Sequence, residues 1–238
     1  MQRTQRGSSH WLLGGMLLLG ITGALSACRA DNPPATVVEP VAYLSPLEKD
    51  VVQEMNLART QPKAYAAFIE KLRPNYVRGQ GQAGGGHTTS VTAGGRSTIV
   101  TAEGPKGLDE AVAFLRTTAP LPALVVSRGM SRAAKEHALE QAQTGTMSHQ
   151  GRNGSQPWER ADRHGRWRDT FSENIVSGHA SARDMTMALI IDDGLPERGH
   201  RKNIFNGQAR MLGVGCGPDK AKPLCVTTFA GSYDEGVQ

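Results

Sequence analysis

Cysteine is scarce in this 238-residue chain, with three residues at 28, 216 and 225. No two of them stand in the close C-x-x-C spacing of zinc sites, which disfavours a two-thiolate metal centre. Charge of one sign is also in short supply. Arg3 and Arg6 are the only charged residues before Cys28, so 25 basic and 22 acidic residues remain beyond it, a net charge of +3. That is too mild and too evenly spread for a nucleic-acid surface. The phosphate-loop pattern G-x-x-x-x-G-K-[ST] is missing. So is H-E-x-x-H, which sets a general base beside two zinc ligands on one helix. The uncharged apolar run from Trp11 to Ala27 is at the short edge for a spanning helix, which needs about 20 residues.

What is there begins with a processing signal. A basic, acid-free start leads into that apolar run, which ends in "LSAC", Leu25 to Cys28. The ending resembles a bacterial lipobox. The resemblance implies a signal peptide over 1–27, cleaved before a diacylated Cys28. Arg29, not an aspartate, follows, which favours the outer membrane in a host that has one. Residues 28–45 read as a proline-rich tether. At about 3.1 Å per residue, such a tether holds a domain up to roughly 50 Å from the bilayer. The rest, 46–238, suits one domain with a proper core.

"SPLEKDVVQEMNLARTQ" predicts a helix capped by Ser45, with Pro46 in its first turn and Glu48 completing a capping box. Leu47, Val51, Met55 and Ala58 share one face, and Tyr65, Phe68, Ile69 and Leu72 form a second stripe after Pro62. A glycine-rich insertion near 79–106 reads as mobile with modest strand content. "HTTSVTAGGRSTIVTAEG" suits a hairpin about Gly94-Gly95, and His87 inside the insertion is expected to be solvated. "GLDEAVAFLRTT" and "SRGMSRAAKEHALEQAQTG" predict helices, the second stopping at Gly145 and carrying His137 on its core side. A long polar crossing then ends in a strand-like "ENIVSG". "SARDMTMALIIDDG" predicts a helix capped by Ser181. "RMLGVGCGPDKAKPLCVTTFAGSY" predicts two apolar strands about a turn. Symmetric pairing sets Cys216 opposite Cys225, and an exported chain is expected to bridge them. Mixed elements without βαβ regularity indicate an α+β fold.

Of seven histidines, His149 and His200 stand beside well-marked elements, and Glu173 starts a strand between them. Two imidazoles and one or two carboxylates are the usual raw material of a borderline divalent site, for zinc or another divalent cation. Asp192 and Asp193 both end a helix shortly before His200, and the spacing only mildly prefers Asp192. Gly199 is expected to leave room beside His200. Arg198, Arg201 and Lys202 are expected to face solvent or a partner.

"MNLARTQPKAYAAFI", "MSHQG", "SENI", "DDGLPERGHRKNIF" and "VTTFAGSY" occur in the order seen in the CAP superfamily. This superfamily comprises cysteine-rich secretory, antigen 5 and pathogenesis-related 1 proteins, and the chain resembles its bacterial branch from about Pro46 onward. The resemblance implies a three-layer α–β–α sandwich with a central antiparallel sheet. It also implies a cleft holding His149, Glu173, His200 and a second acid, best matched by Asp192. Three departures stand out. Ser172 replaces a usual glycine, the second acid is an aspartate, and Asp219 stands where bacterial relatives often have histidine.

The resulting expectation is a lipid-anchored envelope protein that binds a lipid, glycan or protein ligand through this cleft. The alternatives are a metal-assisted hydrolase with Glu173 as general base, and a structural envelope lipoprotein. The anchor is directly testable. Mass spectrometry of exported protein should find a diacylated Cys28 as the first residue, and Cys28→Ala should leave the leader uncut. A mature N-terminus at any other residue rules out the lipobox.

Overall fold

The computed structural model describes residues 41–79, 89–93, 96–218 and 223–236, all inside one compact unit from Pro40 to Gln238. The leader, His87, the Gly94-Gly95 turn and Asp219 lie outside the described residues. The unit carries its own core and its own disulfide.

Helix α1 (Pro46–Thr60) starts as its sequence demands. The Ser45 hydroxyl accepts from the Glu48 amide, and Glu48 Oε2 accepts from the Ser45 amide. Glu48 then reaches further, because it is buried and its Oε1 accepts from Lys135 Nζ and the Cys216 amide. Burial pushes this carboxyl up, but the donors of Lys135, Cys216 and Ser45 outweigh it and hold it below the ordinary glutamate value. At the other end of α1, the guanidinium of Arg59 is wholly buried. It donates to the carbonyls of Pro122, Ile204, Asn206 and Ala209. Burial, with Arg210 adding to it, pushes Arg59 down to about 10.

Helices α2 (Pro62–Glu70), α3 (Pro105–Thr117) and α6 (Ala182–Ile191) bury the stripes their spacing announced. Tyr65, Ile69, Leu108, Leu115, Met185 and Leu189 join Val51 and Met55 in one core. That core covers Leu212, Val214, Cys216 and Phe229 on one face of a four-stranded sheet. The sheet order is β4 (Val125–Val126), β6 (Met211–Gly217), β7 (Leu224–Glu235), β5 (Gly165–Val176). The three long strands are antiparallel, and the two-residue β4 adds a parallel edge. Cys216 pairs with Cys225 in register, and the two are bridged.

The opposite face is covered by α4 (Arg128–Thr144) and the short α5 (Pro157–Ala161), completing the three layers. Side chains alternate across a strand. On β6, Leu212, Val214 and Cys216 therefore face the first core, while Gly213, Gly215 and Gly217 face α4. A Cβ on Gly213 would stand 2.5 Å from the Met130 carbonyl carbon, one on Gly215 2.1 Å from the Lys135 amide, and one on Gly217 2.7 Å from the Ala138 carbonyl. Helix α4 thus lies directly on strand backbone. Its N-terminus is closed by the carboxylate of Glu235, which accepts from the amides of Arg128 and Gly129 and the Ser127 hydroxyl. A negative group there also suits the helix dipole.

A second, three-stranded sheet holds β1 (Tyr76–Arg78), β3 (Arg96–Thr101) and β2 (Thr89–Ala93) in that order. Strands β2 and β3 form the hairpin expected within the insertion.

Three local features differ from the sequence reading. The polar crossing contains α5 and most of a twelve-residue β5, interrupted by a bulge between Arg168 and Phe171, with Asp169 at φ 70°. Arg166, Arg168 and Asp169 suit a solvated edge strand, and their polarity hid it. His200 lies within a short helix of its own, α7 (Gly199–Ile204), and not merely beside a well-marked element. Gly199 is not there for space, since a Cβ at that position would meet nothing within 4 Å.

Gly215→Ala should drive a methyl into the α4 backbone, and overpacking of this kind typically costs about 1–3 kcal/mol or more. The thermal midpoint should drop by at least about 2 °C, and by about 10 °C at the upper end of that cost, for a unit of this size. An unchanged melting curve would mean that α4 is free to lift from the sheet.

Candidate functional site

His149 is delivered by α4. Gly145 ends the helix in the left-handed conformation, and the chain turns back to be gripped at Ser148. The Gln141 side chain accepts from the Ser148 amide at 2.8 Å and donates to its carbonyl at 2.8 Å. Buried His137 donates from Nε2 to the same carbonyl. His137 is therefore more than a silent core residue, because it sets the backbone one position before His149. Arg160, on α5, holds the His149 carbonyl with one nitrogen and Glu173 Oε2 with another, at 3.0 and 2.8 Å. The other carboxylate oxygen of Glu173 accepts from His149 Nδ1 at 2.9 Å. Glu173 and Arg160 are almost completely buried, while the His149 side chain is 55% exposed.

The second pair repeats this arrangement on other elements. Asp192 caps α6 in the left-handed conformation and is wholly buried. Its Oδ2 accepts from the His200 amide at 2.9 Å and its Oδ1 from His200 Nδ1 at 2.7 Å. Asp193 turns away and accepts from the amides of Ala102 and Glu103. It anchors the exit from the second sheet, so the acid bonded to His200 is Asp192.

Arg198 and Arg201 do not face solvent. Arg198, at φ 51°, donates to Glu103, Glu110 and the Asp192 carbonyl. Its hydrogen bond to Glu103 is the main reason its guanidinium is pushed up, with burial opposing. Arg201 is buried and donates to the Ile190 and Ile191 carbonyls and to Glu110. Lys202 alone of the three is exposed.

Two asparagines absent from the sequence reading tie the pairs together. Asn174 Nδ2 donates to the His200 carbonyl at 3.1 Å. Asn203 Nδ2 donates to Asn174 Oδ1 at 2.8 Å and to the Glu173 carbonyl at 3.3 Å. Helix α7 is thereby strapped to β5 beside Glu173. The visible signal was an Asn immediately after Glu173 and another three residues after His200.

The profile of the family described as "CAP: Cysteine-rich secretory protein family" matches residues 110–229, half of the chain and the stretch that holds all four residues. The chain belongs to this family. Among solved structures, it is similar to an extracellular protein containing an SCP domain from Bacillus anthracis str. Ames, at 22% identity and a TM-score of 0.39. That likeness covers 50% of this chain and 37% of the Bacillus chain. It is also similar to an outer surface protein from Borrelia burgdorferi, at 16% identity and a TM-score of 0.41, over 63% of this chain and 100% of that one. A search among curated proteins finds no significant match.

In this CAP domain both acids are committed to their histidines. A carboxylate only accepts, so Nδ1 carries the proton in each ring and a neutral ring keeps its lone pair on Nε2. Direct metal ligation by Glu173 would require it to leave buried Arg160. Among the described residues, no three His, Cys, Asp or Glu side chains are grouped as a metal cluster. The arrangement leaves the acids as orienting partners of the two imidazoles, with Glu173 and Asp192 each spent on an Nδ1.

The Arg160–Glu173 pair carries its own test. Removing one partner of a buried pair leaves an uncompensated charge, so Arg160→Met should cost about 3–5 kcal/mol. Arg160→Met combined with Glu173→Gln should recover much of that loss in chemical denaturation. If the single change costs under about 1 kcal/mol, the pair is solvated like a surface one.

Proposed function

We propose that this CAP-family protein is an extracytoplasmic binding module, tethered to a membrane through Cys28. In this reading His149 and His200 present Nε2 to one divalent cation, zinc or a similar ion. The observation that supports it most is the repeated carboxylate–Nδ1 bond, Glu173 to His149 and Asp192 to His200. That arrangement fixes the tautomer in which Nε2 ligates, and a carboxylate is one of the usual partners of a metal-binding histidine's other ring nitrogen. The bound ion would leave coordination positions open for an oxygen or nitrogen donor of a lipid, glycan or protein ligand.

The hydrolase reading needs Glu173 as a base for water. Both of its oxygens are engaged, by His149 and by Arg160, and it is 6% exposed. A general base must reach the proton it takes, so Glu173 serves better as a positioning residue.

Calorimetry with Zn²⁺ tests the site. His149→Ala or His200→Ala should abolish most binding, while Glu173→Gln and Asp192→Asn should weaken it by about 10–100-fold through lost orientation. Affinity should fall as pH is lowered, since an imidazole must be neutral to ligate. If both alanine variants bind Zn²⁺ as tightly as the parent, the four residues are not a metal site.

A further inference from the structure

A concavity of about 710 Å³ lies alongside α4, between it and the start of α1 and reaching Val214 of β6, and its lining shares no residue with the histidine site. One wall is a stripe of α4. Arg128, Arg132, Lys135 and Leu139 follow one another at intervals of four, three and four, which places them on a single helical face. The other wall is the chain entering the domain at Tyr43, Leu44, Ser45 and Glu48.

The cations of this stripe differ in how they are engaged. Lys135 is spent on Glu48 and the Cys216 carbonyl. Arg132 meets Glu136 only at 3.6 Å, with both side chains well exposed, and Glu136 also faces His164 Nε2 at 3.1 Å. Arg128 has no ion pair among the described residues, and its guanidinium stands 5.6 Å above the Tyr43 ring. Glu235 already occupies the amides at the α4 N-terminus, so the helix end offers nothing more. Tyr43 and Leu139 are 37% and 38% exposed, and both line this concavity. Two guanidiniums one turn apart, each with a planar fork of donors, match the oxygens of a phosphate better than any neutral group. Exposed apolar side chains beside them suit a short apolar body.

We propose that this cleft binds a phosphate ester, its phosphate between Arg128 and Arg132 and its apolar part against Tyr43 and Leu139. The source is either the headgroup of a phospholipid or a soluble ester, and one set of probes separates them. Calorimetry on the unit from Pro40 to Gln238 would use phenyl phosphate, dihexanoyl phosphatidylglycerol below its micellar range, inorganic phosphate, and octyl glucoside as the phosphate-free amphiphile.

Both esters should bind saturably and octyl glucoside should not. Tighter binding of the phosphatidylglycerol assigns the lipid source, and tighter binding of phenyl phosphate assigns the soluble one. Arg128→Gln with Arg132→Gln should weaken either ester by about tenfold or more, the scale of a lost charge-assisted contact. Leu139→Ser should weaken the esters and leave inorganic phosphate unchanged. If the double variant does not fold, Arg132→Gln alone carries the same comparison. Absence of saturable ester binding, an unchanged affinity in the glutamine variants, or equal binding of octyl glucoside would each overturn the proposal.

Discussion

The seating of α4 on the glycine face of β6 is the contact on which the rest of the domain depends. Helix and strand approach to backbone distance because Gly213, Gly215 and Gly217 present no side chain to each other's partner. Everything α4 carries is fixed to the sheet by that approach. At one end Glu235, from the last strand, satisfies the helix amides. At the other end Gly145 turns the chain, and His137 with Gln141 grips Ser148. The position of His149 over Glu173 is thus inherited from a helix–strand contact several turns away.

Charge is handled consistently through the interior. Buried carboxylates of Glu48, Glu173 and Asp192 each accept several hydrogen bonds, which offsets the cost of removing them from water. Glu48 joins helix α1 to α4 and β6. Glu173 joins β5 to α5 and the His149 loop. Asp192 joins α6 to α7. Each acid fastens elements that the apolar core alone would leave free to slide.

Helices α1, α3, α4 and α6 were legible because capping residues and apolar stripes are local signals, read within a few turns. The β2–β3 hairpin and the Cys216–Cys225 pairing were legible for the same reason, since turn and alternation lie close in sequence. Strand β5 was not, because its exposed edge reads as polar loop and its bulge breaks the alternation. The four candidate site residues came from motif order, but their pairing did not. Nothing local distinguishes Asp192 from Asp193; the choice is made by the left-handed backbone at Asp192, which aims its carboxylate at α7. Arg198 and Arg201 were misread because their acids, Glu103 and Glu110, lie about ninety residues earlier. Asn174 and Asn203 stood in view near Glu173 and His200, but their bonds to each other and to main-chain carbonyls across the site depend on the fold.

Arg59 illustrates a different kind of dependence. Its guanidinium gathers the segments at Pro122 and at Ile204–Ala209 through their carbonyl oxygens alone. A carbonyl is the same whatever side chain follows it, so this clasp is blind to the identity of the residues it holds. The clasp thus places no demand on side-chain identity at Pro122 and Asn206, whereas Ile204 and Ala209 are held separately by their burial in the core. Arg59 itself has no such latitude. A lysine brings a point charge in place of a planar fork and cannot reach the same set of acceptors at once. The clasp itself therefore concentrates its demand on one helical position, Arg59, and not on the side chains whose carbonyls it holds.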